Sequence, residues 1–243
     1  MKRRVVIFLS LLPFAPNALA ANFDVGLKAY EAHRFDQAKA IWIPLALNGD
    51  RRSQFRLGMI ALSGLDGAFD IKEAMKWLEL AAKQKHAEAA FRLGKIYEDG
   101  QGLGKKAPET AIGYYKIAAN EGHATALYRL SVIYSRGTGV GKDKKQANTF
   151  LKAAAEAGDP QAQVSYALAL CENPDNQEAI SLAYSWFTVA AENQPVVDPK
   201  EKEAVLAFRS MFTNSLGPKQ RVKGEKLARQ MLKKHPRFVP DLN

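Results

Sequence analysis

Residues 87–123 read AEAAFRLGKIYEDGQGLGKKAPETAIGYYKIAANEGH, and the rest of the predicted architecture follows from this pattern. In its second half Ala111, Tyr114 and Ala118 are spaced at i, i+3 and i+7, which places them on one stripe of an amphipathic helix. The first half has the same spacing at Ala90 and Leu93 and again at residue 97. Glycines between the halves supply the positive φ angles that a turn between helices needs. The stretch therefore predicts two helices joined by a glycine-rich turn.

The same pattern recurs along the chain with a period of 36 or 37 residues. A leucine–glycine pair or its equivalent marks the first helix at 57–58, 93–94, 130–131 and 166–167. Further along each copy come an alanine and, three residues later, an aromatic residue: Ala74 and Trp77, Ala111 and Tyr114, Ala147 and Phe150, Ala183 and Trp186. These residues recur at the same relative positions in all four copies. They therefore predict stacked helix pairs, because a single helix pair cannot bury its apolar face alone.

The recurring residues are predicted to pack in the core or to begin helices. The recurring aromatic residues are predicted to lie in the core. Gly58 and Gly94 are predicted to lie where two helices cross, with small side chains on both sides. Three of the second helices begin with residues that favour a helix start, either a capping side chain or a proline with a fixed φ. These are Asp70 with Glu73, Asp143 with Gln146, and Pro108.

The two ends of the array differ from its middle. A shorter unit is predicted over residues 22–50, and the copy at 160–194 has lost its loop glycines. After Pro195 we expect two more helices, one from Asp198 to Phe212 and one beginning at Gly217. The predicted fold is an all-α, α/α superhelical solenoid of about five helix pairs plus a C-terminal capping pair. The solenoid spans residues 21–194, and the capping helices with a basic tail span 195–243.

Residues 1–20 have the pattern of a cleaved signal peptide. Lys2, Arg3 and Arg4 precede a short apolar run over residues 5–14, and the small residues before Ala21 suit cleavage after Ala20. An uncleaved anchor is the alternative, but the run is shorter than the roughly 20 residues that cross a bilayer. We therefore expect an exported protein that is periplasmic or secreted.

Positive charge is concentrated near the C-terminus. Three of the 35 Lys and Arg residues lie in the predicted signal peptide, which leaves 32 against 25 acids, a net charge of +7. From Leu216 onward eight basic residues face two acidic ones, so this segment alone carries +6. The basic tail predicts either a solvated helix or contact with anionic lipid headgroups or an acidic partner. Nucleic acid is not an expected partner, because the remaining body is near neutral and export separates it from nucleic acid.

The repeat resembles the Sel1-like repeat, a relative of the tetratricopeptide repeat. In the middle copy the family pattern is matched by Ala90, Leu93-Gly94, Tyr97, Gly100, Gly102, Ala111, Tyr114, Ala118-Ala119 and Gly122. The resemblance implies an α/α superhelix with a concave groove and a scaffold or adaptor role. It also implies kinship with exported bacterial regulators of envelope signalling, exopolysaccharide production or host interaction. In a subgroup of the family linked to penicillin binding, a pair of cysteines crosslinks each unit. This chain lacks every such pair.

The sequence contains no evident catalytic or metal-binding constellation. The motifs Ser-x-x-Lys, Gly-x-Ser-x-Gly and His-Glu-x-x-His are missing. The histidines are His33, His86, His123 and His235. His86 and His123 occupy one position in successive copies, where backbone contacts in a loop are expected rather than a metal site. Cys171, the only cysteine, is either a small filler in a helix, or a partly exposed residue that is a free thiol or forms an intermolecular disulfide. No cofactor is expected.

One feature suggests a binding surface. Arg56, Arg92 and Arg129 occupy the same relative position in three successive copies. First helices of such units line the concave side, so these arginines predict a ladder that could grip an extended acidic peptide or an acidic polysaccharide. The alternative is that they are solvated or paired with neighbouring acids such as Glu88.

The sequence thus predicts a non-catalytic scaffold or adaptor that binds a protein partner through a concave groove, in regulation or assembly of the cell envelope. Two alternatives stay open. One is an envelope hydrolase of the β-lactamase or peptidoglycan type. The other is a factor that binds acidic exopolysaccharide during its export.

Overall fold

The computed structural model describes residues 16–172, 176–193 and 199–234, and all regular elements in these ranges are helices. In chain order they are α1 (Pro16–Glu31), α2 (Phe35–Leu47), α3 (Arg51–Ser63), α4 (Ile71–Lys83), α5 (Ala87–Asp99), α6 (Pro108–Asn120), α7 (Ala124–Arg136), α8 (Lys144–Glu156), α9 (Pro160–Leu170), α10 (Gln177–Asn193), α11 (Pro199–Ser215) and α12 (Pro218–Lys234). The predicted all-α class and the pairing of helices are confirmed.

The helices belong to two compact units, one ending at Gln84 and containing α1–α4, the other beginning at Lys85 and containing α5–α12. The domain boundary expected after residue 194 stays a prediction. So does the signal peptide: its first fifteen residues lie outside the described ranges, and α1 begins at Pro16 within the predicted segment. His235 and the end of the basic tail also lie outside them.

In the first unit α1 pairs with α2 and α3 pairs with α4. Trp42 is fully buried between α1 and α2, and its indole Nε1 donates a hydrogen bond to the carbonyl oxygen of Phe23 at 3.1 Å. The two rings stack with 5.7 Å between their centroids. A Cβ at Gly26 would collide with the Trp42 ring, so only glycine fits there. The short first unit expected over residues 22–50 is thus a genuine helix pair.

In the second unit α5 pairs with α6, α7 with α8, and α9 with α10, and each pair packs on the next. The C-terminal helices α11 and α12 both pack on α10, so they cover the last repeat as expected. One boundary differs from the expectation, because α11 continues to Ser215 instead of ending at Phe212.

Gly58 and Gly94 lie at helix crossings as predicted, but the residue opposite each of them is large. A Cβ at Gly94 would lie 2.5 Å from the ring of Tyr115, which is fully buried. A Cβ at Gly58 would lie 2.8 Å from Cγ of Leu78. The prediction of small side chains on both sides is therefore wrong. Each glycine makes room for a bulky residue from the second helix of its own pair.

The recurring aromatic residues divide into two groups. Trp77 and Trp186 are buried, as predicted. Tyr114 and Phe150 are only partly buried, and each stacks on a tyrosine of the preceding helix. In α6 the core position falls instead on Tyr115, the residue after the marker, because this is the side chain that faces Gly94.

The predicted turns and caps are confirmed. Asp70 accepts hydrogen bonds from the N–H groups of Lys72 and Glu73 and so caps α4. Asp143 does the same for α8 through the N–H of Gln146. Pro108 occupies the first turn of α6. The first helices α3, α5 and α7 end at glycines in the left-handed conformation, which are Gly64, Gly100 and Gly137.

Candidate functional site

The arginines of the predicted ladder have different surroundings. Arg56 belongs to the first unit and is buried, with 7% of its surface exposed. Its guanidinium lies over the ring of Tyr30, 5.5 Å from the centroid, a distance at which a cation and an aromatic face attract. Burial lowers the pKa of Arg56 from its ordinary value. This side chain therefore packs within its own unit.

Arg92 and Arg129 belong to the second unit, and each side chain is 39% exposed. Nε of Arg92 donates to Oε1 of Glu88 at 2.6 Å, one helical turn earlier. Nη1 of Arg129 lies 4.0 Å from Oε1 of Glu98 on α5. Pairing with Glu88, the alternative that the sequence left open, is therefore present. A common ladder for an acidic ligand stays a hypothesis.

His86 and His123 are the N-caps of α5 and α7. Nδ1 of His86 accepts from the N–H of Ala89 at 3.2 Å, and Nδ1 of His123 accepts from the N–H of Ala126 at 3.1 Å. Because Nδ1 accepts, the proton of each neutral ring lies on Nε2. Both residues have the loop role that the sequence predicted. Among the described residues, no three His, Cys, Asp or Glu side chains come together as a metal site.

Two polar contacts join successive repeats of the second unit at equivalent positions. Nε2 of His123 donates to Oε2 of Glu88, the second residue of α5, at 2.8 Å. Thr125, the second residue of α7, hydrogen-bonds to Asp159, the N-cap of α9. In each contact a side chain at the start of one first helix meets the N-cap of the next. These contacts are termed the repeat joints.

Burial disfavours the charged form of both acids of the repeat joints, but their pKa values are shifted in opposite directions. Burial opposes ionisation of Glu88, but the hydrogen bond from His123 and the charge of Arg92 outweigh it, so the pKa of Glu88 lies below its ordinary value. Burial dominates at Asp159 and raises the pKa of its carboxyl. Glu88 is therefore stabilised as an anion, whereas Asp159 is not.

Cys171 follows the last turn of α9 and is partly buried. Its Sγ lies 3.2 Å from the carbonyl oxygen of Ala167 and donates a hydrogen bond to it. Burial raises the pKa of the thiol to about 11, so little thiolate exists at neutral pH. These properties agree with a packing role, the first of the two interpretations offered by the sequence.

The second unit contains a polar pocket of about 520 Å³ between α7, α8 and α9, termed the basic pocket. Its lining residues are Tyr128, Ser131, Val132, Ser135, Arg136, Lys142, Lys144, Ala147, Asn148, Leu151, Ser165, Ala169 and Glu172. Arg136 ends α7, Lys142 lies in the loop that follows, and Lys144 begins α8. Cations from the end of α7, from the following loop and from the start of α8 therefore line one side of the basic pocket.

The basic pocket has an excess of positive charge. Three cations line it against one acid, Glu172, whose Oε2 lies 3.3 Å from Nζ of Lys144. Within the described ranges, Arg136 and Lys142 form no ion pair. A neighbouring hollow on the other side of Lys144 adds Lys145 and Lys152 to the same surface. The arrangement can bind an anion. Among the described residues, none of the pocket's serines is hydrogen-bonded to a lysine or histidine, the pairing that activates a nucleophile.

A smaller cleft of about 300 Å³ adjoins the basic pocket and is termed the apolar cleft. It lies between α7, α9 and α11 and is lined by Tyr128, Gln161, Val164, Ser165, Ala204, Val205 and Phe208. Tyr128 and Ser165 line both sites, so the two meet along these residues. Phe208 is 36% exposed and stacks on Phe187, with 5.7 Å between the ring centroids.

Sequence reasoning missed both sites. None of the predicted ladder arginines lines either of them. A signal was present in Lys142, Lys144 and Lys145, which follow the glycine loop of the third full copy. The sequence alone could not show that these cations share a wall with α9.

Three of the seven basic residues in the described part of the basic tail form surface ion pairs. Nζ of Lys223 donates to Oε1 of Glu178 at 2.9 Å. Arg221 and Arg229 lie 3.7 Å and 3.8 Å from the two carboxylate oxygens of Glu225. These pairs favour the solvated interpretation of α12, and lipid contact stays a prediction. In the described ranges, the helices do not combine the length and apolar character needed to cross a bilayer.

Comparison with known proteins gives a family and a fold. The family model described as Sel1 repeat matches residues 51–86, 87–123, 124–159 and 160–195. A solved Sel1 repeat protein from Oxalobacter formigenes is 26% identical, with 90% of this chain and 91% of that one covered and a TM-score of 0.69. A protective antigen of uropathogenic Escherichia coli, c5321, is 22% identical over 89% of this chain and 54% of that one, with a TM-score of 0.51. Among curated proteins, none matches the chain in sequence.

Proposed function

The chain belongs to the Sel1 repeat family, and on this basis we propose that it is a non-catalytic adaptor that binds a protein partner in the cell envelope. Repeat folds of this kind present large surfaces to other proteins. The four matched repeats account for α3–α10, so most of the chain is of this type. The helix pairs before and after them complete the two compact units.

The observation that carries the proposal is the apolar cleft in the second unit. Phe208 and Met211 follow one another at i and i+3 on α11, and they are 36% and 60% exposed. Val164 and Val205 continue this apolar surface into the cleft. Exposed apolar side chains that are contiguous with a cleft are typical of protein-binding surfaces, because covering them removes apolar area from water.

The place of action rests on the first twenty residues. Their charged start, short apolar run and small residues before position 21 support export across a membrane. An exported adaptor would meet its partner in the periplasm or outside the cell. Arg92 and Arg129, which are partly exposed, are proposed to add contacts to acidic groups of that partner.

Site-directed photo-crosslinking tests this proposal in the native host. The full chain carries benzoylphenylalanine in place of Ser165, which lines both sites, or in place of Gly113, which is exposed on α6. We expect a discrete protein adduct from position 165 that position 113 does not give. Identical adducts from both positions, or none from position 165, would contradict the proposal. Turnover of a chromogenic β-lactam by the purified chain would support the hydrolase alternative instead.

A further inference from the structure

We propose that the basic pocket and the apolar cleft form one docking site for an extended segment of the partner protein. An acidic side chain of that segment occupies the basic pocket, and a large apolar side chain two or three residues away occupies the apolar cleft. The inference rests on the proposed function, since it describes the chemistry of the protein that the adaptor binds.

The positive charge of the basic pocket favours an acidic side chain in the partner segment. Lys144 is already paired with Glu172, whereas Arg136 and Lys142 form no ion pair within the described ranges. A carboxylate between these two cations would receive charge-assisted hydrogen bonds, which are roughly twice as strong as neutral ones. The cations sit in a concavity, where their fields add and attract an anion more strongly than on a flat surface.

The remaining polar groups of the basic pocket suit the same ligand. Ser135, Asn148 and Ser165 line it and can donate hydrogen bonds to carboxylate oxygens. Leu151 and Ala169 form its apolar part and can contact the methylene groups of an Asp or Glu side chain. The pocket therefore suits a side-chain carboxylate on a short aliphatic stem.

The apolar cleft specifies the second side chain. Val164, Val205 and Phe208 supply its apolar lining, and the described residues that line it are all uncharged. A volume of about 300 Å³ lies at the lower end of the range for small-ligand sites, so it suits one large side chain rather than a whole ligand. Burying a Leu, Ile, Phe or Met side chain there would favour binding, because it removes apolar surface from water.

The spacing of the two sites sets the spacing of the two side chains. On α9 the apolar cleft is lined at residues 161, 164 and 165, and the basic pocket at residues 165 and 169. Residues 164 and 169, one from each set, are separated by about 7.5 Å at the helical rise of 1.5 Å per residue. An extended chain covers this distance in two or three residues, and side chains at i and i+2 point to the same face.

An acidic polysaccharide matches only half of this site. Its carboxylates would suit Arg136 and Lys142, but it has no aliphatic side chain to place against Val164 and Val205. An acidic peptide segment supplies both groups on one chain. The polysaccharide is therefore an outcome of the test below and not part of the proposal.

Selection from random displayed decapeptides tests the inference with the full chain as bait. We expect enriched peptides to share an Asp or Glu two or three residues from a Leu, Ile, Phe or Met. Their affinity should fall at least about tenfold in the double variant Arg136→Glu with Lys142→Glu, since two attractive contacts become repulsive. Ala204→Glu, an exposed change at the rim of the apolar cleft, should weaken the same peptides.

The matched control is Lys105→Glu. Lys105 follows the glycine loop of the preceding repeat as Lys142 follows its own, is likewise exposed, and lines neither site. Its affinity for the peptides should equal that of the unchanged chain. Replacing the acidic residue of the peptide by its amide should remove the effect of the double variant, as a double-mutant cycle requires. Thermal unfolding of each variant verifies that it folds.

The outcomes separate the inference from the proposed function. Enriched peptides without the acidic or the apolar residue, or peptides that the double variant binds unchanged, would overturn the inference and leave the adaptor role intact. If no peptide is enriched and position 165 crosslinks to no protein, both ideas fail. Binding of polygalacturonate that the double variant loses, without enrichment of any peptide, would assign the site to acidic glycans.

Discussion

His123 and Glu88 are 35 residues apart in the chain, and a 2.8 Å hydrogen bond joins Nε2 of the imidazole to Oε2 of the carboxylate. The same carboxylate accepts from Nε of Arg92 through its other oxygen, and the His123 ring stacks on Phe91 with 4.4 Å between centroids. One partly buried acid therefore accepts from a donor on its own helix and from the N-cap of α7, which His123 provides through Nδ1.

Replacing Glu88 should destabilise the chain through the loss of both contacts. We expect Glu88→Ala to lower the free energy of unfolding by about 2 kcal/mol at pH 7, because hydrogen bonds to a charged group contribute about 1.5–3 kcal/mol. Glu88→Gln should cost less, since the amide oxygen still accepts from one donor. Urea unfolding measures both. Glu156→Gln is the control: its pair with Lys152 is long and exposed, so the change should be within about 0.5 kcal/mol.

The contribution of Glu88 should also depend on pH. Its pKa in the folded chain lies below the ordinary value of 4.5, so the unfolded chain binds the proton more readily. The stabilisation is present above that value and is lost as pH falls through the lowered pKa. The stability difference between the unchanged chain and Glu88→Gln should therefore be largest at neutral pH and vanish on acidification. A difference that stays constant down to pH 3 would contradict this assignment.

Gly94 and Gly113 offer a matched pair of glycine substitutions in one helix pair. A Cβ at Gly94 would lie 2.5 Å from the Tyr115 ring, whereas one at Gly113 would meet nothing within 4 Å. We expect Gly94→Ala to lower the free energy of unfolding by about 1–3 kcal/mol through overpacking. Gly113→Ala should raise it by about 0.5–1 kcal/mol, because alanine favours an exposed helical site. Equal effects would mean that the crossing of α5 and α6 is not close.

Asp159 is a buried N-cap whose charge is unfavourable. Its Oδ1 accepts from the N–H of Ala162 at 2.8 Å, an interaction that asparagine can reproduce without the charge. We expect Asp159→Asn to keep or raise stability at pH 7, whereas Asp159→Ala should lose about 1–2 kcal/mol with the cap. Thermal melts at several pH values measure this.

The sign of the pH effect at Asp159 is opposite to that at Glu88. Its pKa is raised in the folded chain, so protonation relieves the buried charge as pH falls from neutral through the raised pKa. The advantage of Asp159→Asn should shrink over the same range. An asparagine variant as unstable as the alanine variant would show that the charge itself is needed.

Arg56 and Arg129 share a repeat position but should respond differently to truncation. Arg56→Ala removes a buried guanidinium from the Tyr30 ring and should cost about 2 kcal/mol of stability. Arg129→Ala removes a 4.0 Å pair with Glu98 at a partly exposed site and should change stability by less than about 1 kcal/mol. Urea unfolding of both variants checks the contrast, and equal losses would refute it.

Much of the fold could be predicted because it depends on local spacing. The period of 36 or 37 residues yields the helix pairs, and Asp70, Asp143 and Pro108 mark helix starts through contacts within one turn. The choice of Tyr115 over Tyr114 as the core residue could not be predicted. The two are adjacent aromatics about 100° apart on α6, and only the position of Gly94 on another helix separates them.

The candidate site was less predictable for the same reason. Arg56 has the sequence position of Arg92, yet its neighbour Tyr30 belongs to α1, which lies before the matched repeats. The basic pocket joins residues of α7, α8 and α9 whose side chains meet only after the repeats have packed. Sequence patterns within one repeat predict the helices of that repeat well. They contain no information on which side chains from different repeats line the same pocket.

The repeat joints restrict which first helix can precede a given cap. An imidazole N–H needs an acceptor, which Glu88 supplies to His123, and a carboxylate needs a donor, which Thr125 supplies to Asp159. A rearranged chain with Glu88 before an aspartate cap would bring two acceptors together without a donor. Hydrogen-bond polarity therefore limits which first helix can precede a given cap. The matched unit 87–123 contains both Glu88 and His123, so an engineered duplication of this whole unit should keep its joint, whereas a junction that placed Glu88 before an aspartate cap would need a donor at position 88.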